Sequence, residues 1–164
     1  MNAAAPILIA YDGSDTARRA VRETAELFGS RQALVVTVWD PSLPYEAAMM
    51  TPGGLDTMES VGPEMLDVEA AQAGEERLQA RAHRAANDGA ELARSLGLNA
   101  EAVVVADERG DVAGAIVELA RERDVAAIVI GSRGLSGLRA RLEGSTSNAV
   151  LKRSALPVVV VHDD

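Results

Sequence analysis

With 164 residues, 48% of them hydrophobic, the chain is long enough to bury one core and short for two, so a single domain over residues 1–164 is expected. A net charge of −9 sets the surface against nucleic acid and anionic membranes, and without cysteine neither a disulfide nor a thiolate metal site is possible. Aromatic residues make up only 2%, so Ala, Val, Leu and Ile must build the core and base stacking on aromatic platforms is disfavoured.

Five short β-rich runs alternate with longer segments of helical period. Ile7 to Tyr11 is continuously apolar, the pattern of a strand covered on both faces. Ser14 is then placed to cap a helix in which Ala17, Ala20, Val21, Thr24, Ala25 and Phe28 recur at threes and fours, with Gly29 as its stop. Leu34 to Trp39 reads as the second strand. From Asp40 to about Glu69 stand four of the six prolines and four of the five methionines, Met49, Met50, Met58 and Met65. That composition predicts a long loop, either a functional lid or a loosely packed segment.

A helix from about Ala70 to Leu96 follows, with Leu78, Ala82, Ala86, Gly89, Ala93 and Leu96 on one face and Gly97 closing it. Ala102 to Val105 is the third strand. Asp111 caps a third helix that buries Ala113, Ile116, Val117 and Ala120, and Ala126 to Ile130 is the fourth strand. The last helix opens near Ser145, turns Val150 and Leu151 inward and must end before Pro157, ahead of a fifth strand over Pro157 to Val161. This alternation calls for right-handed crossovers and a parallel sheet with helices on both faces, in which ligands sit beyond the carboxyl ends of the strands at the switch point. Residues 131–145 follow the fourth strand at that end, and Asp12 and Gly13 follow the first. The opening MNAAAPILIAYDGSD lacks the charged start and apolar run of a signal peptide, and no segment approaches the roughly 18 apolar residues of a membrane span, so a cytoplasmic location is the default expectation.

The stretch GSRGLSGLRARLEGS, Gly131 to Ser145, sets glycines and a hydroxyl between an apolar strand and a helix, as a phosphate cradle requires. Its spacing is G-x2-G-x9-G-[ST] through Gly131, Gly134, Gly144 and Ser145. Residues 131–154 also gather five of the 16 basic residues (Arg133, Arg139, Arg141, Lys152 and Arg153) against a single acid, Glu143. A P-loop is excluded because Lys152, the only lysine, follows Leu151, and the G-x-G-x-x-G fingerprint is missing after the first strand, which runs into YDGSD.

AYDGSD after the first strand, GDVAGAIVELA on the third helix and AAIVIGSRGLSGLRARLEGSTSNAVLKRSALPVVVV together resemble the universal stress protein family in its ATP-binding branch, over the whole chain except the loop at 40–69. Gly131, Gly134, Gly144 and Ser145 match that branch's signature at every fixed position. The resemblance implies a Rossmann-like, three-layer α/β/α sandwich with a five-stranded parallel sheet, of the adenine nucleotide alpha hydrolase type. It also implies a nucleotide-dependent stress-response regulator that binds ATP, or AMP or ADP, with magnesium as a possible companion.

On that model Gly131 and Gly134 let the loop, with Ser132 and Arg133, pass the ribose and α-phosphate. Ser145 and the amides opening the last helix hold the outer phosphates, and Thr146 and Ser147 add hydroxyls. The adenine edge is read by backbone at Val38, with Ala10 and Asp12 beside ribose and base; Asp12 alternatively helps hold the metal, or merely shapes a turn. Arg133, Arg139 and Arg141 read either as phosphate contacts or as solvated charges, and His83 and His162 as surface residues. One departure is Ala126, where the family commonly has aspartate.

The sequence shows no assured water-positioning residue, which leaves slow ATP hydrolysis as an alternative function and a nucleotide-independent dimeric assembly module as a further one. Val158, Val159, Val160 and Val161 would be an aggregation risk as a bare edge. The resemblance implies a homodimer through them, and an interior strand is the alternative. One lysine among 16 basic residues points to a GC-rich bacterial genome.

Overall fold

The computed structural model describes residues 5–42, 68–132 and 146–162. Nine elements alternate: β1 (Ile7–Ala10), α1 (Asp15–Phe28), β2 (Gln32–Trp39), α2 (Val68–Ser95), β3 (Asn99–Ala106), α3 (Val112–Glu122), β4 (Ala127–Gly131), α4 (Thr146–Arg153) and β5 (Val158–Val161). The five strands form one parallel sheet in the order β3-β2-β1-β4-β5. Most of the expected long loop, residues 43–67 with all four of its methionines, lies outside the described residues.

Period two divides the core between the two faces of the sheet. Ile7, Ile9 and Val35 pack with Ala17, Ala20 and Val21 of α1 and with Ala90 and Ala93 of α2. Leu8, Leu34, Val36 and Ile128 pack with Ala113, Ile116 and Ala120 of α3 and Val150 of α4. Helices therefore cover both faces, and the three-layer α/β/α arrangement expected from the alternation is the one observed.

Local chemistry sets the ends of α1 as expected. The Ser14 hydroxyl accepts the Ala17 N–H at 3.1 Å, and Gly29, at φ 62°, donates to the Ala25 carbonyl at 3.0 Å. Thr24 is fully buried in the helix stripe and is satisfied by donating to the Ala20 carbonyl at 2.7 Å.

The structure corrects several details. β2 and β3 begin at Gln32 and Asn99, earlier than their apolar runs, because Gln32 pairs with Asn99 and Leu34 with Glu101. β3 is the sheet's edge, and at its start exposed Asn99 and Glu101 flank buried Ala100, a pattern missed when only continuous apolarity is sought. Leu96 and Leu151, both expected to turn inward, are 42% and 46% exposed at the ends of their helices, and Val117 is only half-buried. β5 occupies the other edge, not the interior.

The strand order fixes where a ligand would be received. The chain winds outward from β1 through β2 to β3, then returns to the other side of β1 to lay down β4 and β5. The reversal opens a crevice above the carboxyl ends of β1 and β4.

Candidate functional site

Three strand ends and one helix start surround the crevice. At the end of β1 the Tyr11 N–H donates to the Val36 carbonyl at 2.8 Å, and the buried Thr37 hydroxyl donates to the Tyr11 carbonyl at 2.7 Å. These two bonds hold β1 to β2 up to the point where the chain turns away. The turn uses Asp12, whose Oδ1 accepts the Ser14 N–H at 2.9 Å, and Gly13 at φ 82°. Asp12 is thus half-buried beside the crevice, with one carboxylate oxygen engaged in its own turn. The Tyr11 hydroxyl, with Asp15 and Asp88 contributing charge, holds the Arg18 guanidinium above its ordinary pKa.

The end of β2 is the most exposed to a ligand in chemical terms. Carbonyls along a parallel strand point alternately to its two neighbours. The Val36 carbonyl faces β1, so the Val38 carbonyl faces the same way, but there β1 has already departed at Asp12. The Trp39 carbonyl points to β3 and accepts the Asp107 N–H at 2.9 Å. Val38 thereby offers the crevice a backbone acceptor, and half-buried Ala10 at the end of β1 adds little bulk beside it.

At the end of β4, Gly131 pairs with Val161, and the Ser132 N–H donates to the Val161 carbonyl at 2.7 Å. Gly131 is the last strand residue, and it takes no positive φ. Its glycine is demanded by a neighbour: a Cβ there would stand 2.7 Å from Thr16 Cγ2 and 3.2 Å from the Thr16 carbonyl carbon. The bare backbone lets the opening turn of α1 lie against the end of β4, and this close approach shapes one wall of the crevice.

The opening turn of α4 completes the site, with half-buried Thr146 and buried Ser147. A helix's first turn carries N–H groups without acceptors inside the helix and a partial positive charge. Arg133, Gly134, Gly144 and Ser145 lie outside the described residues, as do Arg139, Arg141 and Glu143.

The gathering of positive charge at the loop needs amending for the two basic residues that are described. Lys152 and Arg153 sit in the last turn of α4, about two turns from its start. Arg153 is committed to Asp111, with 2.7 Å from Nη1 to Oδ2. Arg153, and then the Gly114 N–H at 3.1 Å, hold the Asp111 carboxyl below its usual range. Asp111 therefore caps α3, as its sequence position predicts, and also ties α3 to α4.

A model of the universal stress protein family matches residues 4–162. The chain belongs to the universal stress protein family. Universal stress protein YxiE of Bacillus subtilis (strain 168) is 29% identical over 156 residues, covering 95% of this chain and 97% of that protein. Among solved structures, the hypothetical protein MJ0577 superposes with a TM-score of 0.70 at 21% identity, over 98% of this chain and 97% of that one. A universal stress protein in complex with cAMP superposes at 0.61 and 23% identity, over 96% of each chain. The universal stress protein from Archaeoglobus fulgidus in complex with dAMP does so at 0.53 and 25%, over 96% and 97%.

Within this family member, sequence reasoning overlooked three residues at the carboxyl end of the sheet. Thr16 meets Gly131, Thr37 anchors the end of β1, and buried Asp107 follows β3. Thr37 had a signal, a hydroxyl inside the apolar run LVVTVW, and Asp107 had one in its place at a strand's carboxyl end. Thr16 had none, because its meaning lies in a contact 115 positions away. Among the described residues no group of three or more His, Cys, Asp or Glu side chains is placed to hold a metal ion, and no helix is long and apolar enough to cross a membrane. His83 and His162 are both exposed, and Ala126 lies at the opposite end of the sheet from the crevice, donating to the Pro6 carbonyl at 2.8 Å.

Proposed function

We propose that this stress protein binds an adenine nucleotide, ATP foremost, across the carboxyl ends of β2, β1 and β4, and acts as a nucleotide-dependent regulator. The observation that carries the reading is the Val38 carbonyl, left facing the crevice where β1 turns away, with the start of α4 at the same end of the sheet. The acceptor suits the amino edge of adenine, while the helix start and its hydroxyls, Thr146 and Ser147, suit phosphate. Ala10 and Asp12 flank the ribose and base, and Gly131, Ser132, Arg133 and Gly134 pass the α-phosphate. Gly144 and Ser145 complete the cradle, and a magnesium ion carried by the phosphates finds a carboxylate in Asp12. The cAMP and dAMP complexes of two neighbours support an adenine nucleotide as the ligand class.

Holding is favoured over cutting. Hydrolysis needs a water positioned in line with the leaving phosphate. The described groups around the crevice are backbone, hydroxyls and a carboxylate that closes its own turn, a set suited to binding. A homodimer is proposed through β5 (Val158, Val159, Val160 and Val161), whose outer edge has no strand beside it among the described residues and of which Val159, Val160 and Val161 line one surface with Leu27, 62% exposed on α1. Mass spectrometry of nucleotide released from gently purified protein tests the function: ATP or AMP is expected. A protein that releases none and shows no saturable binding of added ATP refutes it.

A further inference from the structure

The start of α4 is where the cradle would meet phosphate, so whatever fixes α4 fixes the cradle's aim. The helix has only eight residues, about 12 Å of length, and of these only Ser147 and Val150 are buried. Val150 belongs to the apolar cluster that Ala113, Ile116 and Ala120 of α3 help to build. Contact through one apolar side chain near the middle holds the helix against α3 but lets it pivot. A second fixed point, away from the first, sets the direction of the axis.

Arg153 ends the helix about one turn beyond Val150 and supplies that point. Its Nη1 lies 2.5 Å from Asp111 Oδ1 and 2.7 Å from Oδ2. Asp111 is itself held in place. Its Oδ1 accepts the Gly114 N–H at 3.1 Å as the cap of α3, and its carboxylate fills the space beside Gly114, where a Cβ would stand 2.8 Å from the carboxyl carbon. One carboxylate thus closes α3 and anchors the last turn of α4. The two side chains are 50% and 45% exposed, too wet for the pair to be worth much as a charge interaction alone.

We propose that Arg153 and Asp111 are positioning residues for the nucleotide's phosphates: their ion pair fixes the axis of α4 against α3 and so aims the first turn of α4 at the site. This rests on the adenine-nucleotide reading of the crevice. A helix that pivots about Val150 swings its opening N–H groups away from phosphate, and hydrogen bonds weaken steeply with misalignment. Val38 and Ala10 lie on strands and do not move with it. Loss of the pair therefore weakens ATP and leaves adenosine as it was. The sign of the charge separates aiming from a field effect. Asp111→Asn keeps a capping acceptor and removes a negative charge, so a pair acting only through its field would bind ATP more tightly after the change.

The test is calorimetric titration of the full chain and its Asp111→Asn and Arg153→Gln variants with ATP and with adenosine at pH 7. Both variants are expected to bind ATP about two- to fivefold less tightly than wild type, the range an exposed ion pair commands, with adenosine unchanged. The double variant is expected to be no weaker than either single one, and Arg153→Lys to recover part of the loss. Tighter or unchanged ATP binding by folded Asp111→Asn overturns the proposal, as does an equal loss for adenosine, and either leaves the nucleotide site standing. Should Asp111→Asn fail to fold, Arg153→Gln and Arg153→Lys decide, and equal losses in the two overturn the role of the pair. Failure of wild type to bind either ligand overturns the nucleotide reading itself.

Discussion

Gly131→Ala places a methyl group where the structure has no room for one. The added Cβ would lie 2.7 Å from Thr16 Cγ2, 3.1 Å from Thr16 Cβ and 3.2 Å from the Thr16 carbonyl carbon. Carbon atoms settle at about 3.5–4.0 Å, so Cγ2 would have to retreat by roughly 1 Å. Thr16 is 3% exposed and branched at Cβ on the first turn of α1, so it has little freedom to rotate away, and α1 must lift from β4 instead. Overpacking of this kind costs about 1–3 kcal/mol. For a chain of this length that lowers Tm by roughly 3–10 °C, measurable by thermal unfolding followed by circular dichroism. Thr16→Ser deletes the nearest atom and keeps the hydroxyl, so the double variant should recover about 1 kcal/mol relative to the sum of the singles. A Gly131→Ala protein that melts within about 1 °C of wild type, or one that Thr16→Ser does not rescue, would refute the contact as the reason for this glycine.

Thr37→Val should cost about 1 kcal/mol in urea unfolding by leaving the Tyr11 carbonyl without its donor, and a neutral result would show that the end of β1 is held otherwise. Asp111→Asn keeps a capping acceptor but removes the charge that Arg153 stabilises. Because the folded carboxyl titrates below its ordinary value, wild type should exceed the variant at pH 7, by at most about 1 kcal/mol for so exposed a pair. That advantage should persist down to about pH 4 and vanish as the folded carboxyl protonates below it, whereas a gap independent of pH would contradict the ion pair. Sedimentation at several concentrations should show a dimer if β5 pairs with a second copy, and a monomer throughout would dismiss that interface.

Much of this architecture could be read from periodicity. The apolar runs located every strand, and Ser14, Gly29 and Asp111 marked helix ends because caps are local hydrogen-bond chemistry. What escaped was set by tertiary contact. Gln32 and Asn99 join strands because each pairs with the other across the sheet, Leu151 stays exposed because α4 packs inward through Val150, and Gly131 answers to Thr16 on another element. The candidate site was legible in part for the same reason. Spacing pointed to the loop after β4 and the family resemblance to Val38, but neither pointed to buried Asp107, whose Oδ2 has no hydrogen-bond partner among the described residues.

The central claim, an adenine nucleotide held at the carboxyl ends of β2, β1 and β4, is tested most directly by titrating the purified chain with ATP while following Trp39. This single tryptophan is half-buried, ends β2 and adjoins Val38. A saturable change in its fluorescence, matched by calorimetric binding of one ATP per chain, is the expected result. No saturable binding of ATP, ADP or AMP by either measurement would contradict the account.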